Sequence, residues 1–328
     1  MKPYVVITKK IPKHVETFIA DYCRYIKWED QGSMPMDMIL EHLPKADGLL
    51  TASHVINAQL LAHAPSLKVV STLSVGYNHF DIEAMRARKV LGTNTPGVLN
   101  ETVADLIFSL MLATARRIPE MDQYIRQGKW TSSLPESMFG LDVHHKTLGI
   151  VGMGGIGEAV AHRAKWGFDM NILYHNRSPK PELENKLDAK YCPLEQLLTE
   201  SDFIVLMTPL TKETYHLISK KHFALMKPTS IFINASRGAT VDEDALIQAL
   251  QNKQIYAAGL DVFKQEPIDQ NHPLLTLPNV VLLPHIGSAT QETREAMALL
   301  AAQNLVTALQ GECPPNLVKE LYDLFEHN

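Results

Sequence analysis

Short β-branched and apolar runs alternate along the chain with longer stretches in which apolar residues recur at helical spacing. Over residues 1–100 the runs are Tyr4 to Ile7, Ala46 to Leu50 and Leu67 to Ser71, separated by helix-length polar–apolar segments. Such alternation predicts parallel strands joined by crossover helices. After Thr95-Pro96-Gly97 comes Asn100, suited to cap a helix, and then Val103, Leu106, Ile107, Leu110 and Met111 at helical spacing. This long helix is expected to join two domains. From Thr147 the alternation resumes, predicting strands over Thr147 to Val151, Asn171 to His175, Phe203 to Thr208, Ser230 to Asn234, Tyr256 to Leu260 and Val280 to Leu283, with a helix at Asp242 to Gln251 among those between them. The last helical stretch, Thr290 to Leu309, has no strand left to follow and is expected to return to the first domain.

The first strand of the second set runs into Gly152-Met153-Gly154-Gly155-Ile156-Gly157 and then a helical pattern. A GxGxxG motif between strand and helix suits a dinucleotide: Gly152 permits the tight turn, Gly154 lets backbone amides approach a pyrophosphate, and Gly157 allows close helix–strand packing. The helix start offers unpaired N–H groups and a positive dipole end. Six strands with this fingerprint after the first predict a doubly wound Rossmann domain. The fold class expected is α/β, two parallel-sheet domains. Residues 1–100 and 288–328 would form a flavodoxin-like substrate domain, and residues 101–287 the dinucleotide-binding domain inserted in it.

Size and composition narrow the picture. The 328 residues are enough for two cores, at about 100–200 residues per domain. No apolar run reaches the roughly 18 residues needed to span a bilayer, and the opening Met1 to Thr8 is too short for a secretory signal. A cytoplasmic protein without a membrane partner is expected. The three cysteines, Cys23, Cys192 and Cys313, are scattered and read as reduced thiols. A net charge of −5 with no long basic cluster argues against nucleic acid. Fourteen histidines show no metal-ligand spacing, and the adjacent His144 and His145 are poorly disposed to chelate one ion, so no metal is expected.

Three ionisable residues fall just beyond expected strands: Arg237 after Ile231 to Asn234, Glu266 after Gly259 to Phe263, and His285 after Val281 to Pro284. In open α/β sheets ligands bind beyond the carboxyl ends of the strands. Their types fit one reaction. A 2-oxo acid presents a carboxylate beside a carbonyl, which the planar guanidinium of Arg237 can hold together. Hydride delivery to the carbonyl carbon leaves charge on oxygen, and His285 is the natural proton donor near neutral pH. Glu266 beside it would favour the imidazolium. Singly, each residue reads as an ordinary surface or turn group; their joint placement makes a site.

Asn234-Ala235-Ser236-Arg237-Gly238, Asp261 to Pro267 and Pro284 to Thr290 resemble the signature blocks of the D-isomer-specific 2-hydroxyacid dehydrogenases. The similarity runs nearly end to end, including Leu73-Ser74-Val75-Gly76-Tyr77-Asn78, and within the family it is greatest to the bacterial glyoxylate/hydroxypyruvate reductases that also reduce 2-ketogluconate. The resemblance implies that Arg237, Glu266 and His285 are catalytic and that Val75 and Gly76 offer backbone amides to the substrate carboxylate. It implies that Asp261 contacts the nicotinamide carboxamide and that a homodimer forms largely through the nucleotide domains. Ser288 is counted with the substrate residues. Gly152, Gly154, Gly155, Ile156, Gly157, Ala235 and Gly287 are counted with the cofactor residues.

An NAD-selective site usually has an acidic residue after its second strand, to bind the ribose hydroxyls. Here the strand ends Tyr174-His175-Asn176-Arg177-Ser178, with no carboxylate between Asp169 and Glu182. Arg177 can pair with a 2′-phosphate and Asn176 or Ser178 can donate to it, so NADP(H) is expected over NAD(H). The expected activity is NADPH-preferring reduction of glyoxylate, hydroxypyruvate and, as a further candidate, 2-ketogluconate to D-2-hydroxy acids. The alternatives are a 3-phosphoglycerate or other D-2-hydroxyacid dehydrogenase and, in another class, a dinucleotide-sensing corepressor. Met34, Met36 and Met38 could form an adaptable wall near a substrate but read rather as ordinary core or loop packing, and Trp130 could reach a partner subunit but reads rather as local core.

Overall fold

The computed structural model describes residues 1–326. The chain divides into two compact units, Met1–Leu99 with Ala289–Asn328, and Asn100–Ser288. The first unit carries a parallel sheet of β1 (Tyr4–Ile7), β2 (Arg24–Lys27), β3 (Gly48–Thr51), β4 (Val69–Thr72) and β5 (Leu91–Thr93), in the order β2-β1-β3-β4-β5. Successive side chains leave opposite faces of a strand. Val6, Leu49 and Val70, aligned across β1, β3 and β4, enter a core with Ile39, Leu61, Met85 and Leu317. Their neighbours Val5, Ile7, Leu50 and Val69 enter the other, with Val15, Ile19, Ala301 and Leu305. The helix Gln291–Leu309, capped by the Thr290 side chain, packs on β3 and β4, with Ala298, Ala301 and Ala302 small enough to let it lie close.

The second unit holds β6 (Thr147–Val151), β7 (Asn171–His175), β8 (Ala189–Tyr191), β9 (Phe203–Leu206), β10 (Ile231–Asn234), β11 (Ala257–Leu260) and β12 (Val280–Leu282), all parallel, in the order β12-β11-β10-β9-β6-β7-β8. The strand order reverses between β6 and β9, the switch point at which ligands bind in such sheets. β9, β10 and β11 are buried throughout, because helices cover both faces of a parallel sheet. The helix Asn100–Ala115 lies wholly in this unit and packs on β10, β11 and the helix Gly155–Phe168. Gly259 permits that approach, since a Cβ there would stand 2.6 Å from Leu110 Cγ.

The structure corrects the sequence reading in its strand counts and at Trp130. Among the described residues the first sheet has five strands and the second seven, against the three and six that periodicity predicts. The additions β2, β5 and β8 are edge strands: Arg-Tyr-Ile-Lys is partly exposed, and Leu-Gly-Thr and Ala-Lys-Tyr are only three residues long. Trp130 is not core but 66% exposed. The methionines divide, Met34 buried and Met38 against the first-unit core, Met36 exposed. Among the described residues no helix is long and apolar enough to cross a membrane.

Candidate active site

The glycine turn after β6 is built as the motif requires. Gly152 has φ +104°, and a Cβ on it would stand 2.8 Å from the Met207 carbonyl carbon. A Cβ on Gly157 would come 2.7 Å from the Gly152 oxygen, so the helix can pack on the turn only as glycine. Gly154 differs: a Cβ there would meet no protein atom within 4 Å. Neither a positive φ nor internal packing requires glycine at that position, so the backbone there is left open to close approach by a group such as a phosphate. The first helical hydrogen bond runs from Glu158 N–H to the Gly154 oxygen at 2.9 Å, which leaves the amides of Gly155, Ile156 and Gly157 without helical acceptors. These residues fit a dinucleotide pyrophosphate.

At the end of β7 the side chain of Asn176 turns to this loop. Its Oδ1 accepts from Met153 N–H at 2.7 Å and its Nδ2 donates to the Met153 oxygen at 3.3 Å, so it clamps the glycine turn. Arg177 and Ser178 are exposed.

Arg237, Glu266 and His285 follow the carboxyl ends of three adjacent strands, β10, β11 and β12. Asn234, the last residue of β10, shapes the first loop: its Oδ1 accepts from the Ser236 N–H and hydroxyl at 3.0 and 2.8 Å, and its Nδ2 donates to the Arg237 oxygen at 3.1 Å. Asparagine at a strand end is suited to such a turn. Gly238 lets the loops meet, since a Cβ on it would overlap the Phe263 carbonyl and the Lys264 nitrogen. Burial lowers the Arg237 pKa, and the charge of Glu266 partly offsets this.

Glu266 and His285 form a pair. His285 Nδ1 lies 2.6 Å from Glu266 Oε2, and Glu266 Oε1 accepts from Phe263 N–H at 3.0 Å. Burial alone would raise the Glu266 carboxyl. The hydrogen bonds from His285 and Phe263, with the charges of His285 and Arg237, hold it below its usual range. An ionised carboxylate only accepts, so Nδ1 carries a proton and Nε2 is the nitrogen left for other work. His285 has a left-handed backbone, φ +53°, unusual for a residue with a side chain. Asp261 secures the two residues that follow, accepting from Ile286 and Gly287 N–H at 2.8 and 2.9 Å. Burial raises the Asp261 pKa, which those two amides and the His285 charge moderate.

Ala235 is half-buried in the β10 loop, Gly287 is buried in the loop after β12, and Ser288 is the last residue of this unit. Val75 and Gly76 belong to the first unit, in the loop after β4. Their N–H groups donate to no acceptor among the described residues. Sequence reasoning assigned no role to Asn234 or Gly238; an asparagine two residues before a serine at a strand end is the one signal that could have marked the turn. A separate cavity of about 630 Å³, lined by Arg117, Lys253, Tyr256, Pro278 and Asn279 among others, lies at the opposite, amino-terminal ends of β11 and β12 and holds none of these groups. Among the described residues there is no cluster of His, Cys, Asp or Glu able to hold a metal ion.

A glycine-turn Rossmann sheet with an arginine and a carboxylate–histidine pair beyond three neighbouring strands defines a dinucleotide-dependent dehydrogenase. Residues 108–287 match the family model of the D-isomer specific 2-hydroxyacid dehydrogenase NAD-binding domain. The chain belongs to that family of enzymes. It is 49% identical over 318 residues to glyoxylate/hydroxypyruvate reductase B of Escherichia fergusonii, covering 97% of this chain and 98% of that one. It is 48% identical to the protein of the same name from Escherichia coli K12, with the same coverage. Among solved structures, a Thermus thermophilus protein superposes with a TM-score of 0.88 at 42% identity, over 96% of this chain and 99% of that one. The NADPH-dependent glyoxylate/hydroxypyruvate reductase of Sinorhizobium meliloti, in complex with NADP and malonate, does so with a TM-score of 0.85 at 34% identity, over 98% of each chain.

Proposed function

We propose that this chain reduces small 2-oxo acids, glyoxylate and hydroxypyruvate foremost and 2-ketogluconate in addition, to D-2-hydroxy acids with NADPH as preferred donor. The observation that carries the reading is the 2.6 Å pair of His285 and Glu266 on loops beside that of Arg237. The reduced nicotinamide, when bound, supplies a hydride to the carbonyl carbon. Arg237 binds the carboxylate and carbonyl, Val75 and Gly76 N–H groups take the carboxylate, and Ser288 lines the substrate side. His285 gives the proton from Nε2 to the developing alkoxide, with Glu266 stabilising the imidazolium beforehand. Gly152 to Gly157 receive the pyrophosphate, with Ala235, Asp261 and Gly287 along the cofactor. The names of the relatives at 48–49% identity support this substrate class.

Arg177 and Ser178, exposed beyond β7 in a segment with no carboxylate between Asp169 and Glu182, favour a 2′-phosphate, although the charge of Arg177 also reaches Glu213. The protein acts in the cytoplasm as a homodimer joined through the nucleotide unit. The helix Ile118–Arg126 buries no residue in the single chain, and Ile118, Ile125, Trp130 and Phe139 are all more than half exposed. The test is initial-rate oxidation of NADPH and of NADH with glyoxylate, hydroxypyruvate, 2-ketogluconate, pyruvate and phosphohydroxypyruvate. We expect the highest kcat/KM with glyoxylate or hydroxypyruvate, and NADPH ahead of NADH. A preference for phosphohydroxypyruvate would move the chain to the phosphoglycerate branch, and cofactor binding without turnover would point to a sensor.

A further inference from the structure

The loop after β4 is held from its carbonyl side. The Ser74 oxygen accepts from Thr95 N–H at 3.1 Å, the Val75 oxygen from Asn94 Nδ2 at 2.7 Å, and the Gly76 oxygen from Ser74 Oγ at 2.8 Å. In a trans peptide the carbonyl and the following N–H point in opposite directions within one plane. Fixing these three oxygens therefore fixes the direction of the N–H groups of Val75, Gly76 and Tyr77, none of which meets an acceptor among the described residues. N–H groups held in fixed directions without a protein acceptor are available to an anion.

Asn94 is itself well anchored. Its N–H donates to the Asn316 oxygen at 3.2 Å, and its own oxygen accepts from Nδ2 of the fully buried Asn304 at 2.9 Å. The Asn304 Oδ1 in turn accepts from Asn316 N–H at 3.3 Å, so the closing helix and the tail after it lock the residue that aims the loop.

We propose that Asn94 is a positioning residue for the substrate carboxylate: its side-chain amide, by holding the Val75 carbonyl, aims the Gly76 N–H, and Ser74 does the same for the Tyr77 N–H, which becomes a third donor. The inference rests on the functional reading above, in which this loop receives the carboxylate. Asn94→Asp is the sharpest test, because it removes the side-chain donor and leaves the backbone bonds to Asn304 and Asn316 in place. Ser74→Ala is the second variant. Oxalate, a carboxylate probe that undergoes no turnover, is titrated calorimetrically into the NADP-loaded enzyme, beside glyoxylate kinetics and thermal melting.

The expected result for Asn94→Asp is oxalate Kd and glyoxylate KM both raised about tenfold, with kcat within about twofold and the KM for NADPH unchanged. Ser74→Ala should raise both about threefold. Wild-type values for Asn94→Asp, a loss that falls equally on NADPH and on Tm, or a wild type that binds no oxalate would each overturn the proposal. A wild type that binds oxalate in this Asn94-dependent way but reduces no 2-oxo acid would sink the functional reading and leave the positioning role standing.

Discussion

The Glu266–His285 contact at 2.6 Å ties one proton position to one carboxylate. Removing that charge while keeping the shape, in Glu266→Gln, destabilises the imidazolium. The pH at which reduction falls off should move down, and kcat at neutral pH should drop by about tenfold or more. A pH–rate profile with NADPH and glyoxylate checks both. A second residue-scale prediction concerns stability. Glu16 accepts from Lys27 at 2.7 Å, Tyr25 at 2.7 Å and Lys13 at 3.2 Å. The bonds from Lys27 and Tyr25 foremost, against a smaller opposing effect of burial, take its carboxyl down to about 2. A carboxylate depressed on folding contributes stability above its unfolded pKa, about 4.3, and loses that contribution as pH falls toward 2. Glu16→Gln should cost about 1–3 kcal/mol at pH 7, and the difference from wild type should shrink in melts taken between pH 4 and pH 2.

Among the elements, three strand ends and the loops beyond them assemble the site, and Gly238 is where two of those loops meet. A methyl group there has nowhere to go but into the Phe263–Lys264 backbone. Gly238→Ala should separate the Arg237 and Glu266 loops, lowering stability by about 1–3 kcal/mol and kcat/KM at least tenfold, as thermal melts and steady-state kinetics would show. β9 and β10 were readable as elements because they are buried and apolar: Phe-Ile-Val-Leu and Ile-Phe-Ile-Asn could hardly be anything else between helical stretches. β2, β5 and β8 were not, because an edge strand needs neither an apolar run nor length to pair on one side. Asn176 shows the same limit for a single side chain. As a residue type it suits a phosphate, and only the structure shows that its Oδ1 and one N–H of Nδ2 also hold the glycine turn at Met153.

Across the whole molecule, the exposed apolar side chains of Ile118, Ile125, Trp130 and Phe139 have a consequence for assembly. In the proposed homodimer these side chains would lie against the partner subunit. Sedimentation should show a dimer, and Ile125→Glu combined with Trp130→Glu should shift it to monomer with the far-UV circular dichroism unchanged. A monomeric wild type would end the proposal of a homodimer. Local pattern by itself determined the alternation of strands and helices, the glycine turn, and the residue types beyond the strands. Those follow from backbone geometry and solvent, which act on neighbours along the chain. Tertiary structure alone decided that Asn234 and Gly238 build the Arg237 loop, that Asp261 secures the loop of His285, and that Asn94 grips Val75. Such contacts join residues far apart in sequence or hidden in a turn, and their strength depends on distances of a few tenths of an ångström that no residue type encodes.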